Sequence, residues 1–268
     1  MIRSPIQPAL RLGLGFLSLA ILLGGYTWLS YRQHRINPKD TTIPTWNQMA
    51  SGISDVIKPH GKRGERWLVI DVKATGWRFV LGMGIGVVGA VILGMLMGCF
   101  GALEAFVDPP LSLLAKIPPT AVLAVFFVLI GTDTKMFAAI IAFGVLPTLA
   151  MVIHLEVKGF PQELLSKAYT LGARVTDVVW HIIFRHTLPR VIDGIRLMIG
   201  PALVFLIAAE VYMSDAGFGY RIRLQSQLLK MNIVYPYLAL LAIFGFAADF
   251  TLRRLKIWLC PWHQSKIS

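Results

Sequence analysis

Side chains able to do ionic or acid–base chemistry are scarce within the apolar runs of this sequence, and Glu210 is the first to consider. It ends the run Leu197 to Met213 and is followed by Asp215, Gly217-Phe218-Gly219-Tyr220, Arg221 and Arg223. A carboxylate at that depth in a bilayer costs about 2.5–3.5 kcal/mol on insertion scales unless it is paired or wetted, so Glu210 is expected to face inward. Two uses are open. Glu210 pairs with a cation such as Arg221 or Arg223 to hold an outer gate, with Gly217, Gly219 and Tyr220 beside it, or it contacts a solute. Asp249 is expected to pair with Arg253, one helical turn away. Hydrolytic chemistry finds no support: His154 and His181 fall at loop edges, Ser112 and Ser214 have no evident partner base, and neither HExxH nor GxSxG occurs. Cys99 and Cys260 lack any CxxC or Cys/His spacing, so no catalytic or metal site is expected.

The elements that must position Glu210 are apolar throughout. Hydrophobic residues make up 56% and charged residues 15% of the 268, and mean hydropathy is +0.65. A soluble domain is nearer ~45–50% apolar and ~25% charged. Apolar runs at Leu12–Leu29, Phe79–Phe100, Thr120–Gly131, Met136–Ile153, Leu197–Met213 and Ile233–Phe250 approach the ~20 residues that a helix needs to cross a bilayer, the third being short. The runs are continuous rather than alternating, and open sheet edges are not viable in lipid. The expectation is an all-α integral membrane protein with six transmembrane helices. Leu12–Leu29 exceeds a signal peptide's usual ~7–15-residue apolar core and reads as a retained first helix. No internal repeat is evident, which weighs against a secondary carrier. Glycines at 82/86 and 94/98 give GxxxG pairs, expected to serve close packing within the chain. Pro109-Pro110 and Pro118-Pro119 predict a bent cytoplasmic connection re-entering the membrane at Ile117.

The tail after the last run carries Arg253, Arg254, Lys256 and Lys266, and the loop before the fifth run carries Lys158, Lys167, Arg174, Arg185, Arg190 and Arg196. Both favour the cytoplasm. The segment from Tyr31 to Gly76 is also basic, but much of that charge lies away from helix ends, where it counts least. Both termini are therefore expected to be cytoplasmic. The net charge of +12 suits lipid headgroups and an acidic partner surface and needs no nucleic acid.

Between the fourth and fifth runs, Leu164, Leu165, Ala168, Leu171 and Val175 recur at helical steps. A short helix with an apolar face follows, suited to a partner's groove or to the lipid surface. Gly172 permits a turn out of that helix, and Val178, Val179, Ile182 and Ile183 start a second amphipathic piece.

These residues resemble the permease subunits of ATP-driven importers of the nitrate, sulfonate, taurine and bicarbonate type, over about Ile43 to Leu255. Such permeases carry Glu-Ala-Ala, three residues, Gly, nine residues and Ile-x-Leu-Pro in a cytoplasmic loop. Here Ser166, Lys167 and Ala168 occupy the first positions and Gly172 matches the glycine. Ile182 fits, Phe184-Arg185 stands in place of Leu-Pro, and Leu188-Pro189 resembles a second Leu-Pro. Ile117-Pro118-Pro119, Ala208-Ala209-Glu210 and Gly217-Phe218-Gly219-Tyr220 look like further elements of that subgroup.

The resemblance implies a type I ABC importer permease in the bacterial inner membrane. It implies a first helix with its tail over 1–30, a periplasmic connecting segment over 31–76, a permease core over 77–255 with a coupling loop at 155–196, and a cytoplasmic tail over 256–268. A coupling helix including Glu163, Leu164, Ser166, Lys167, Ala168, Leu171, Gly172 and Ala173 would dock a cytoplasmic ATPase. Glu210, Gly217, Gly219 and Tyr220 would line the substrate pathway or its gate. Implied partners are ATPase subunits that use ATP and Mg, a periplasmic or lipid-anchored solute-binding protein, a second permease copy forming a homodimer, and the bilayer. The chain has no GxxxxGK[ST] phosphate loop and is not expected to bind nucleotide itself. The subgroup mostly carries small anions such as nitrate, bicarbonate or sulfonates. A cationic or neutral organic nitrogen compound or vitamin precursor is the alternative, which an unpaired Glu210 would favour. A secondary carrier and an intramembrane enzyme are the readings from other classes.

Overall fold

The computed structural model describes residues 7–38, 40–60 and 65–262. Lys39, Lys62 and Arg63 of the basic segment from Tyr31 to Gly76, and Lys266 of the tail, lie outside them. The chain forms two compact units, one of residues 1–67 with 222–238 and the other of 68–221 with 239–268.

In the first unit α1 (Pro8–Ile36) outlasts the apolar run that predicted it. The chain after it folds back, so that the Tyr26 hydroxyl donates to the Pro44 carbonyl at 2.6 Å and the Trp46 indole N–H donates to Thr27 Oγ1 at 3.0 Å. That return is locked by the start of α2 (Trp46–Ile57), where Thr45 Oγ1 accepts from the Gln48 N–H and Gln48 Oε1 from the Thr45 N–H. This reciprocal cap satisfies two donors that a helix start leaves open. Residues Pro59–His60 and Glu65–Arg66 pair as β1 and β2, antiparallel, with Pro59 opposite Arg66. The expected connecting segment 31–76 is thus largely ordered structure. Its last ten residues belong to the next helix.

The second unit is built around α6 (Thr134–Lys158), whose Ile140, Ile141, Val145, Leu149, Ala150 and Ile153 are wholly buried. α3 (Trp67–Cys99) lies against it along the glycine stripe. A Cβ on Gly82 would meet Ile141, on Gly86 Ala142 and Val145, on Gly94 Ala150 and Ile153, and on Gly98 Val157. The GxxxG pairs therefore make an intramolecular seam, where packing rather than the hydrophobic effect joins helices in lipid. On the other side of α6 lie α4 (Gly101–Leu114) and α5 (Leu123–Ile130). Glu104 meets His154 and Lys158 at the end of α6, and Phe126 meets Phe143 with ring centroids 5.6 Å apart.

Helices containing Ala9–Ile36, Trp67–Cys99, Thr134–Lys158, Val175–Met213 and Met231–Leu259 are long and apolar enough to cross a membrane. They match five of the six expected runs. The third run forms only α5, 8 residues or about 12 Å long. The proline-rich connection differs too. Pro109 and Pro110 sit inside α4, and the bend falls at the second proline pair, within residues 115–122.

After α6 come α7 (Gln162–Thr170) and a turn, then α8 (Val175–Asp177), a π-helical stretch (Val178–Ile183) and α9 (Phe184–Met213), which run on without a break. α10 (Phe218–Gln227) and α11 (Met231–Leu259) follow. Two ion pairs tie α9 to the later part of α11: Arg196 donates through Nε to Asp249 at 2.8 Å and through Nη2 at 3.1 Å, and Lys256 donates to Asp193 at 2.6 Å. The hydrogen-bonded partner of Asp249 is thus Arg196 and not the expected Arg253, which acts on it through charge alone among the described residues. Arg196 offers a two-point fork across helices, which a neighbour on the same helix cannot match.

Candidate functional site

At one end of α9, Glu210 is wholly buried and every bond to its carboxylate comes from within the second unit. Arg78 Nη1 donates to Oε1 at 3.0 Å, Thr75 Oγ1 lies 2.9 and 3.0 Å from the two oxygens, and the Gly219 N–H donates to Oε2 at 3.0 Å. Arg78 Nη1 also reaches Ser214 Oγ at 2.9 Å and the Ala216 carbonyl at 2.7 Å, while the guanidinium lies 4.0 Å over the Phe137 ring. Beside this pair, Asp71 accepts from Arg221 Nε at 2.9 Å and from the Gly217 N–H at 3.0 Å. Thr75 Oγ1 also accepts from the Phe218 N–H at 2.9 Å. Two carboxylates and two guanidiniums thus share one buried network, which is the condition under which buried charge is tolerated.

The expected pairing of Glu210 with Arg221 or Arg223 is corrected: its cation is Arg78, and Arg221 belongs to Asp71. The reason lies in α3, which begins at Trp67 and so places Asp71, Thr75 and Arg78 at i, i+4 and i+7 on one helix face. Sequence reading missed all three, because the run was counted from Phe79. A polar stripe at helical spacing, entering an apolar helix, was the available signal.

Of the expected gate residues, Gly217 and Gly219 join the network. Gly217 has φ of +120°, and a Cβ there would run into the Glu210 carboxylate; one on Gly219 would meet the Ile207 carbonyl and Glu210 Cβ. Glycine is required at both for the chain to wrap the carboxylate closely. Tyr220 follows them in α10, where Arg221 lies 5.7 Å from its ring.

The coupling candidates lie at the opposite end of the Val175–Met213 rod. α7 holds Glu163, Leu164, Ser166, Lys167 and Ala168. It ends in a turn where the Gly172 N–H donates to the Tyr169 carbonyl and the Ala173 N–H to the Ala168 carbonyl, with Gly172 at φ +82°. That is the left-handed helix stop that the glycine predicted. The apolar face is divided, however. Leu165, Ala168 and Ala173 pack inward on the core, whereas Leu164 is 44% and Leu171 88% exposed. Ser166 and Lys167 are also exposed. Short π stretches recur where helices are adapted to function, and the one at Val178–Ile183 joins this turn to α9. Periodicity could not show it.

Residues 86–256 match the family described as binding-protein-dependent transport system inner membrane component. The taurine transport system permease protein TauC of Escherichia coli (strain K12) is 26% identical over 97% of this chain and 93% of its own length. A putative aliphatic sulfonates transport permease protein, SsuC of Bacillus subtilis (strain 168), is 29% identical over 74% of this chain and 70% of its own. Among solved structures, a chain of the MetNI methionine ABC transporter in an inward-facing conformation superposes with TM-score 0.64 at 15% identity, covering 75% of this chain and 99% of that one. This likeness establishes the fold. By the match over most of its length, the chain belongs to the family of inner membrane components of binding-protein-dependent transport systems, a multi-pass, non-catalytic permease subunit.

Proposed function

We propose that this chain forms the path by which an ATP-driven importer moves a small sulfonate across the bilayer. The observation that carries the mechanism is the uninterrupted rod Val175–Met213, with an exposed short helix at one end and a buried charge network at the other. Between α7 and the Glu210 network the non-helical link is the short turn at 171–174. Cytoplasmic ATPase subunits, which hold the ATP and Mg, dock on α7 and on the exposed Leu171. A periplasmic or lipid-anchored binding protein delivers the solute, and two copies of the chain enclose the path.

Relatives named for taurine and aliphatic sulfonates support a cargo that carries a sulfonate group. The main argument for a cationic cargo was an unpaired Glu210. Its charge is balanced by Arg78, which removes that argument.

The test is ATP-dependent uptake of ethanesulfonate by the chain reconstituted with its ATPase and binding protein. Uptake of a solute without a sulfonate group instead would overturn the cargo reading. Orientation is checked by single cysteines at Thr45 and Ser166 in a background lacking Cys99 and Cys260. An impermeant thiol reagent should label position 45 in intact spheroplasts and position 166 only after lysis. The reverse pattern would exclude cytoplasmic termini and with them the docking of ATPases on α7.

A further inference from the structure

α4 and α5 together lie along the whole of α6, and the break between them falls beside its middle. Glu104 sits at the end of α6 with Lys158, and Pro119 abuts Gly144. Gly144 stands about 15 Å from Thr134 and about 21 Å from Lys158 at 1.5 Å per residue. α4 and α5 would span about 21 and 12 Å, close to a full crossing when added. Together the two pieces are long enough for the missing third crossing, with the break near the middle of α6.

The break follows from Pro118-Pro119. Neither residue has an N–H to offer the carbonyls four residues earlier, and Pro118 turns Ile117 away from helical conformation. Among the described residues, no hydrogen bond reaches the carbonyls of Ala115, Lys116 or Ile117. Unpaired backbone at membrane depth persists only where it meets water or protein. A cavity of about 160 Å³ occupies this place, lined by Lys116, Thr148, Phe143, Gly144, Phe205 and the proline pair. No carboxylate of the described residues lies within 4.0 Å of the exposed Lys116 ammonium. A lone ammonium in mid-membrane does not face lipid, because nothing there replaces its hydration.

We propose that this break is a subsite of the translocation path, at which Lys116 and Thr148 hold the acid group of an aliphatic sulfonate and Phe205 with Pro119 hold its carbon stem. It rests on the importer reading above and gives it an address. The volume of about 160 Å³ accommodates a sulfonate head with a short stem.

The test uses Thr148→Cys in the full chain, with Cys99 and Cys260 replaced by Ala, in right-side-out and inside-out membrane vesicles. The probes are 2-sulfonatoethyl methanethiosulfonate, itself an ethanesulfonate, and its trimethylammonioethyl counterpart. Both should reach position 148 from at least one side. Adding Lys116→Gln should lower the anionic rate relative to the cationic one about fivefold, the effect of one unit charge nearby in a partly wetted site. Lys116→Arg should restore the ratio, and free ethanesulfonate should slow labelling only when a cation is at 116. An inert position 148 in a protein that still melts cooperatively, or a ratio indifferent to residue 116, would overturn the subsite. Charge-selective labelling in a complex that takes up no sulfonate would support the anion subsite and overturn the cargo assignment.

Discussion

The two ends of the Val175–Met213 rod are built on opposite terms. Around Glu210 the charges balance, both carboxylate oxygens are bonded, and glycines at 217 and 219 let the backbone close over them. Around Gly172 the helix α7 is held by Leu165, Ala168 and Ala173, while Leu164, Leu171 and Lys167 face outward with nothing covering them. One end is complete within the chain. The other leaves Leu164 and Leu171 exposed, where the proposed partner would dock. The difference separates what stability measurements should report from what coupling measurements should report, and each variant below is chosen to set one against the other.

The largest effect on stability is expected at the Glu210 network. Glu210→Gln leaves the buried Arg78 without its counter-charge, and breaking one side of a buried pair costs about 3–5 kcal/mol. Arg78→Met should cost a comparable amount. Because an uncharged interior is tolerated, the double variant should recover roughly half of the summed loss. Thermal unfolding of the detergent-solubilised proteins measures this. If Glu210→Gln melts like the wild type but moves sulfonate selectively poorly, the carboxylate serves cargo and the contrast between the two ends collapses.

The second test compares two glycines with positive φ. Gly217→Ala and Gly172→Ala both force a side chain into a conformation worth roughly 1–2 kcal/mol of strain. At 217 the new methyl also displaces the Glu210 carboxylate, whereas at 172 it meets open space. Gly217→Ala should therefore melt well below Gly172→Ala. The larger Gly172→Val should disturb the helix stop and lower transport-coupled ATP hydrolysis sharply, with membrane abundance near that of wild type. Equal melting losses at 217 and 172, or normal coupling in Gly172→Val, would show that the ends do not differ as argued.

How far these regions could be read from sequence follows the same division. Glu210 and its glycines stood out because a carboxylate in an apolar run demands an explanation, and Gly172 because a glycine after a helical stripe is a stop signal. The partners on α3 did not stand out. Asp71, Thr75 and Arg78 fall where polar connection gives way to apolar run, and hydropathy places a boundary there that the helix ignores. The third run stays short of a crossing for a related reason. Counting apolar residues assumes continuous helices, and the Pro118-Pro119 break separates α5 from α4, which carries Glu104 and Asp108. The split face of α7 was hidden because spacing shows which residues share a side but not which neighbour they meet.

The smallest effect concerns the ion pairs near α7, where Glu104 on α4 meets Lys158 and His154 on α6. Glu104→Gln removes the attraction to both, so the variant should melt slightly below the wild type at pH 7. The pair is solvent-accessible, so the gap should be small and should shrink further in high salt, as exposed pairs do. A large gap at pH 7 that resists salt would place this pair with the Glu210 network as part of the chain's own framework, rather than with the exposed end at α7.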